Sequence, residues 1–153
     1  MLGNVVFAEK KNFLPETECL KLIEFYNSNI NESFSYRDTF PLNVSPDLIS
    51  EGILHECRTY DENILLDTYQ IVKWPADSFM KPHTDPPGDV FAAIVYLNDD
   101  YIGGETCFKD MKIIPETGKL VIFSNNELLH WVNTVKKATR YTLALWFIRN
   151  VIK

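Results

Sequence analysis

From residue 64 onward the chain reads as short apolar strands separated by turn residues, and that rhythm limits the architectures open to it. Residues 64–74 are rich in Ile, Leu, Tyr and Val, and residues 90–97 form a nearly continuous apolar run. A run of this kind suits a strand covered on both faces. Asn98-Asp99-Asp100 and Gly103-Gly104 break it into a turn. Further strands are expected over 105–108, 119–123, 128–135 and 140–148. Short strands with Gly, Pro and Asn between them predict a sandwich or barrel.

The text before residue 64 has a different period. A first strand is expected over 4–7. A helix follows, with Pro15 in its first turn, Glu16 and Glu18 near its positive end, and Leu20, Ile23 and Tyr26 or Phe25 on its apolar side. A second helix is expected to start at Ser45 as cap with Pro46 behind it, carrying Leu48, Ile49, Ile53 and Leu54. One apolar side per helix suits packing on the outside of a sheet. The expected fold class is therefore α+β, mainly β, in a single domain over 1–153. Its helical support covers about 12–61 and its β core about 64–150.

Composition narrows the function. The 153 residues carry 15 Lys and Arg against 21 Asp and Glu, a formal net charge of -6. That leaves no basic footprint for nucleic acid and disfavours an anionic membrane surface. Cys19, Cys57 and Cys107 show no metal-binding spacing and read as reduced thiols. The N-terminal apolar run is too short for a signal peptide or a span. These readings predict a cytoplasmic location.

The chemistry-bearing stretch is Lys81-Pro82-His83-Thr84-Asp85. Side chains two apart on a strand share a face, so His83 and Asp85 would point the same way. His130, far along the chain, is the candidate third ligand. Two imidazoles and a carboxylate on one face of an octahedron are the ligand set of non-haem Fe(II) oxygenases. An isolated His-x-Asp is also common as an ordinary hydrogen-bonded pair. Arg140 adds weight to the metal reading, because it opens an otherwise apolar strand, and a guanidinium inside a β core asks for an anion. Its planar fork suits a carboxylate.

With these residues in place the chain resembles the prolyl 4-hydroxylase branch of the 2-oxoglutarate- and Fe(II)-dependent dioxygenases. The resemblance runs through Lys81 to Asp85, Tyr96-Leu97-Asn98, Gly103-Gly104-Glu105-Thr106-Cys107-Phe108, Pro115, Gly118 to Phe123, His130 to Val135, Arg140-Tyr141 and Trp146. It implies a double-stranded β-helix core of jelly-roll, cupin-like form. It implies Fe(II) on His83, Asp85 and His130, and 2-oxoglutarate held at its far carboxylate by Arg140 and Tyr96. It further implies O2 as oxidant, ascorbate as a candidate reductant, and succinate and CO2 as co-products. Trp146 and Val132 match positions lining the site, and Thr106 and Cys107 lie close to it.

The chain departs from the family pattern at Trp74 and Met80, where relatives often carry Tyr, at Asp77, often Gly, and at Ala144, where some carry a hydroxyl. The first expectation for substrate is a prolyl residue in a peptide or protein. A free amino acid or another side chain on the same scaffold is the alternative. A nucleic-acid demethylase, a zinc hydrolase with the same ligands, and a non-catalytic binding barrel are the rivals. Trp146, standing where the demethylases keep a second arginine, and the acidic charge argue against the first. Arg140 and Tyr96 would have no purpose in the second, and the intact ligand set argues against the third.

Overall fold

The computed structural model of the chain describes residues 5–149. Strand β1 (Phe7–Lys10) leads into helix α1 (Glu16–Ser28), strand β2 (Phe40–Asn43), helix α2 (Glu51–Tyr60) and the long strand β3 (Ile64–Trp74). Then come β4 (Met80–His83), β5 (Asp89–Tyr96), β6 (Ile102–Gly103), β7 (Thr106–Phe108), β8 (Met111–Ile113) and β9 (Leu120–Phe123). Strands β10 (His130–Val132), β11 (Val135–Lys136) and β12 (Arg140–Arg149) complete the described chain.

Six strands form an antiparallel sheet in the order β1-β9-β5-β12-β3-β2, and β4-β10-β7-β8 form a second. β11 and β6 pair as a small ribbon. Side chains of both larger sheets line one cavity between them. The described strands make the flattened, two-sheet form of the expected β-helix rather than a continuous closed barrel.

Alternation along the central strands sorts the side chains into two layers. Leu143, Leu145 and Phe147 of β12, with Ala93 and Val95 of β5 and Leu120 and Ile122 of β9, join a core shared with the helices. The intervening residues Ala92, Tyr96, Val121 and Phe123 form a second apolar cluster on the opposite side. On β12 the same parity sends Arg140, Thr142, Ala144 and Trp146 toward the cavity. Strand β5 is thus covered on both faces, as its apolar run predicts.

The helices differ from expectation in detail. Pro15 is the N-cap residue rather than part of the first turn, with φ -58 and ψ 146. The buried side of α1 is Cys19, Leu22 and Tyr26, whereas Leu20 is 53% exposed. The free thiol takes the core position that the apolar pattern assigned to leucine, and i, i+3 and i+7 from Cys19 set the stripe. The segment from Ser45 divides in two. Ser45 caps a single turn of 3-10 helix, Pro46–Leu48, and Ser50 then caps α2 through the Gly52 N–H at 3.2 Å. Ile49 between them is extended, with ψ 122, so one helix cannot run through.

Strand β1 also starts later than expected, and Asn4 of the expected strand lies outside the described residues. Pairing of Phe7 with Phe123 through Lys10 with Leu120 carries the strand past the charged Glu9. Glu9 is accommodated by the buried Lys119 amine at 2.7 Å. The strand expected over 128–135 is interrupted at Asn133 and Thr134, which separate β10 from β11. No helix among the described residues is long and apolar enough to cross a membrane.

Candidate active site

His130 and His83 are cross-strand partners in the register of β10 and β4, so the sheet itself sets the two imidazoles side by side, 4.4 Å between ring centroids. Each ring is oriented from behind. His83 Nδ1 lies 2.7 Å from the Lys81 carbonyl, and His130 Nδ1 2.7 Å from the Leu128 carbonyl. A proton on each Nδ1 leaves both Nε2 lone pairs free.

Asp85 follows β4 rather than extending it. Its N–H donates to the Asn125 carbonyl at 3.0 Å, and the Asn125 amide donates to Asp85 Oδ2 at 2.8 Å. The Trp146 indole N–H donates to the same oxygen at 3.3 Å. Asp85 Oδ1 then stands 3.5 Å from His83 Nε2, and Oδ2 3.7 Å from His130 Nε2. Among the described residues these three make the one group of His, Cys, Asp or Glu poised to hold an ion, with donor atoms within 4.8 Å of one another. First-row metals bind such donors at about 2.0–2.2 Å, so an ion fits between them.

The electrostatics of Asp85 and His130 suit that use, whereas at His83 a bound cation would have to displace the proton that Nε2 shares with Asp85. The hydrogen bond to Asp85 raises the His83 pKa above its ordinary value. Burial lowers that of His130. For Asp85 burial pulls upward, but hydrogen bonds from His83 and Asn125 and the nearby imidazoles outweigh it and hold the carboxyl below its usual range. An ionised carboxylate beside a buried imidazole that resists protonation is the state a cation requires.

Arg140 lies at the start of β12 and is 1% exposed. Its Nε donates to the Gly104 carbonyl at 3.0 Å and its Nη2 to Thr106 Oγ1 at 3.1 Å. Its guanidinium carbon sits 4.5 Å from the Trp74 ring centroid and 5.3 Å from that of Tyr96. The contrast with Lys119, the other fully buried cation among the described residues, is informative. Lys119 has Glu9 at 2.7 Å and Glu116 at 3.3 Å, whereas Arg140 has no carboxylate partner among the described residues. A buried charge left unpaired costs several kcal/mol. This one faces a cavity of about 540 Å³ that the triad also lines.

Tyr96 is fully buried, and its hydroxyl lies 2.6 Å from Thr106 Oγ1. Thr106 is the side chain that reaches the cavity wall; Tyr96 stands behind it. Trp146, Val132, Met80, Trp74 and Ala144 all line the cavity. Asp77 adopts φ 76, the left-handed conformation expected where relatives carry Gly. Gly104 is required by space. At φ +69, a Cβ there would stand 2.8 Å from Tyr101 and 3.1 Å from the Arg140 side chain. Asn125 and Arg37 are absent from the sequence reading, because a lone amide or a loop arginine carries no local pattern. A larger groove of about 890 Å³ beside the end of α2 holds none of the triad or Arg140.

The model of the 2OG-Fe(II) oxygenase superfamily matches residues 69–148, more than half of the chain, a stretch that contains the triad, Tyr96 and Arg140 but not Arg37. The chain belongs to this family. Among curated proteins it is similar to prolyl 3-hydroxylase 2 of Homo sapiens, 38% identical over 74 residues, covering 41% of this chain and 10% of the relative. Prolyl 3-hydroxylase 1 of Gallus gallus is 36% identical over 74 residues with the same coverage. The chain thus spans about a tenth of the length of the curated relatives it matches.

Likeness to solved structures extends over the whole fold. The viral collagen prolyl hydroxylase of Paramecium Bursaria Chlorella virus-1, as its 2OG complex, superposes with a TM-score of 0.76 at 20% identity, covering 96% of each chain. A Pseudomonas putida prolyl-4-hydroxylase gives 0.73 at 20% identity over 97% of this chain and 95% of that one. A Trichoplax adhaerens prolyl hydroxylase bound to a hypoxia inducible factor peptide gives 0.69 at 19% identity over 94% and 83%. The family's double-stranded β-helix is the fold of this chain, and Fe(II) and 2-oxoglutarate are the family's cofactor and co-substrate.

Proposed function

We propose that this chain is a 2-oxoglutarate- and Fe(II)-dependent dioxygenase that hydroxylates a prolyl residue in a peptide or protein. The observation that carries the reading is the unpaired Arg140 guanidinium buried in the same cavity as the triad. A metal cluster by itself fits a hydrolase equally well. A buried cation lacking an anion, a short way from that cluster, asks for a ligand with a carboxylate at one end and metal-binding atoms at the other.

In this reading His83 Nε2, His130 Nε2 and Asp85 hold Fe(II), while Asn125 and Trp146 keep Asp85 turned toward it. Arg140 grips the far carboxylate of 2-oxoglutarate with the N–H groups not spent on Gly104 and Thr106. Tyr96 supports that grip through Thr106. Val132, Ala144 and Trp146 supply apolar walls that keep water from the reacting end. When bound, iron and 2-oxoglutarate supply the oxidative chemistry: O2 is consumed, 2-oxoglutarate becomes succinate and CO2, and one oxygen atom enters a C–H bond.

The names of the relatives support a prolyl substrate, since 3- and 4-hydroxylases alike act on the proline ring. The peptide complex of the Trichoplax neighbour supports a peptide or protein over a free amino acid. Residues 1–153 are read as one domain. The three unpaired, buried thiols suit a reducing compartment, hence the cytoplasm.

The test is incubation with Fe(II), 2-oxoglutarate, ascorbate and a library of proline-containing peptides. A product heavier by about one oxygen atom, formed together with succinate, is expected. Turnover on free amino acids alone would overturn the peptide assignment. Peptide-stimulated succinate from an Asp85→Ala variant would overturn the ligand set.

A further inference from the structure

Apart from the Tyr36 phenol, the ionisable side chains that line the cavity are His83, Asp85, His130, Arg140 and Arg37. The first three form the triad and Arg140 holds the co-substrate, which leaves Arg37 at the mouth with no task. It sits in a tight turn closed by reciprocal bonds, Tyr36 N–H to the Thr39 carbonyl at 3.0 Å and Thr39 N–H to the Tyr36 carbonyl at 2.9 Å. Its φ is 55, in the left-handed region where glycine is favoured. The chain therefore keeps a long cation where the backbone would prefer no side chain, the kind of outlier that points to use.

The partners of this guanidinium are weak ones. It rests 5.3 Å from the centroid of the Tyr36 ring and donates from Nη1 to Met80 Sδ at 3.3 Å, a poor acceptor. No carboxylate among the described residues pairs with it. Around it the mouth is built of Tyr36, Pro41, Met80, Pro86 and Pro87, surfaces that take an apolar ring but no charge. A net charge of -6 repels acidic ligands at long range, so any attraction for them here is local.

The strand measures the reach. Met80 opens β4 and His83 closes it, a span of about 10 Å at roughly 3.3 Å per residue. An extended peptide covers at most about 3.5 Å per residue. A carboxylate held beside Met80 is thus about two or three residues away from a residue reacting at the triad. The carboxylate of a free amino acid falls short of that span.

Building on the prolyl-peptide reading, we propose that Arg37 selects acidic peptides, pairing with a carboxylate two or three residues from the hydroxylated proline. That carboxylate is an Asp or Glu side chain or the peptide's own C-terminus.

The test uses the full chain with a proline-centred peptide. Asp is compared with Asn at each of three positions on either side, with the C-terminus free or amidated. Binding is followed by tryptophan fluorescence on the Fe(II)- and 2-oxoglutarate-loaded protein without O2, and product by mass with O2. The expected result is that one Asp position, or the free C-terminus, improves kcat/KM by about tenfold over its neutral counterpart, through KM and in a salt-sensitive way. Which arm responds identifies the source of the carboxylate. Arg37→Gln is expected to remove the discrimination, Arg37→Lys to keep part of it and Arg37→Glu to reverse it, all with 2-oxoglutarate affinity unchanged.

Equal treatment of Asp and Asn everywhere by the wild type, or a preference that survives Arg37→Gln, overturns the proposal. Hydroxylation without charge preference sinks the role of Arg37 and leaves the prolyl reading standing. Charge-dependent binding without product upholds Arg37 and sinks the prolyl reading.

Discussion

Trp146 and Asn125 donate to one and the same oxygen, Asp85 Oδ2, at 3.3 and 2.8 Å, from two different parts of the chain. One donor lies on β12 in the larger sheet and the other in the turn after β9. The carboxylate that completes the triad is thus aimed by groups that are not themselves ligands.

Removing either donor is expected to loosen that aim. Asn125→Ala and Trp146→Phe should each weaken Fe(II) binding by roughly 10- to 100-fold, the usual effect of losing a partner behind a metal ligand. Metal titration of the two variants, with circular dichroism to confirm folding, checks this. Unchanged affinity in both would mean that Asp85 needs no support.

Arg140 should act on 2-oxoglutarate and leave the metal alone. Arg140→Gln is expected to raise the dissociation constant for 2-oxoglutarate by about 100-fold or more, in line with about 3 kcal/mol for a charge-assisted pair. Arg140→Lys should lose less. Gly104→Ala should reproduce part of the loss, because its Cβ would crowd Tyr101 and the Arg140 side chain. Anaerobic titration of 2-oxoglutarate into Fe(II)-loaded protein reads all three, and tight binding in Arg140→Gln would refute the role.

Gly118 is a structural counterpart. Its φ is 84, its carbonyl accepts from Phe13 and Leu14, and a Cβ would stand 2.3 Å from the Leu14 carbonyl oxygen. Gly118→Ala should destabilise by at least about 2 kcal/mol, from left-handed strain plus displacement of the segment entering α1. A thermal melt should fall by roughly 4–8 °C for a chain of this size.

Alkaline pH should expose the buried thiols. Burial raises Cys57 from the ordinary thiol value of 9.0 to about 12. The folded value lies above the unfolded one, so this group's contribution is fully present below pH 9. It is lost as the pH climbs from about 9 to about 12, up to about 4 kcal/mol in all. Denaturant titrations at pH 8 and pH 10.5 should show the decline, and Cys57→Ala should show a shallower one. Identical pH slopes for the two proteins would contradict it.

Much of the fold was legible because apolar alternation is a local property. The run at 90–97 announced a strand covered on both faces, and β3 occupies the expected span of 64–74. Short strands such as β2, β6 and β8 were not legible, since they exist through pairing with a longer neighbour rather than through their own pattern. The helix details failed for a related reason. Cys19, not Leu20, faces the core, and only the position of the sheet under α1 selects between adjacent residues.

For the site, the residue types and their order came from the sequence alone. His83, Asp85, His130 and Arg140 stood out as candidates only in combination, because a His-x-Asp pair alone has ordinary uses and it took a guanidinium in an apolar strand and the family resemblance to single them out. Tertiary structure decided how they meet. Cross-strand pairing sets His130 beside His83, and even parity along β12 turns Arg140 and Trp146 to the same face. Asn125 and Trp146 reach Asp85 from distant segments, and Arg37 arrives at the mouth through a tight turn that no periodicity predicts. Chemistry is carried by side-chain identity, which the sequence states outright. Distance and direction are properties of how far-separated segments pack, and only the folded chain contains them.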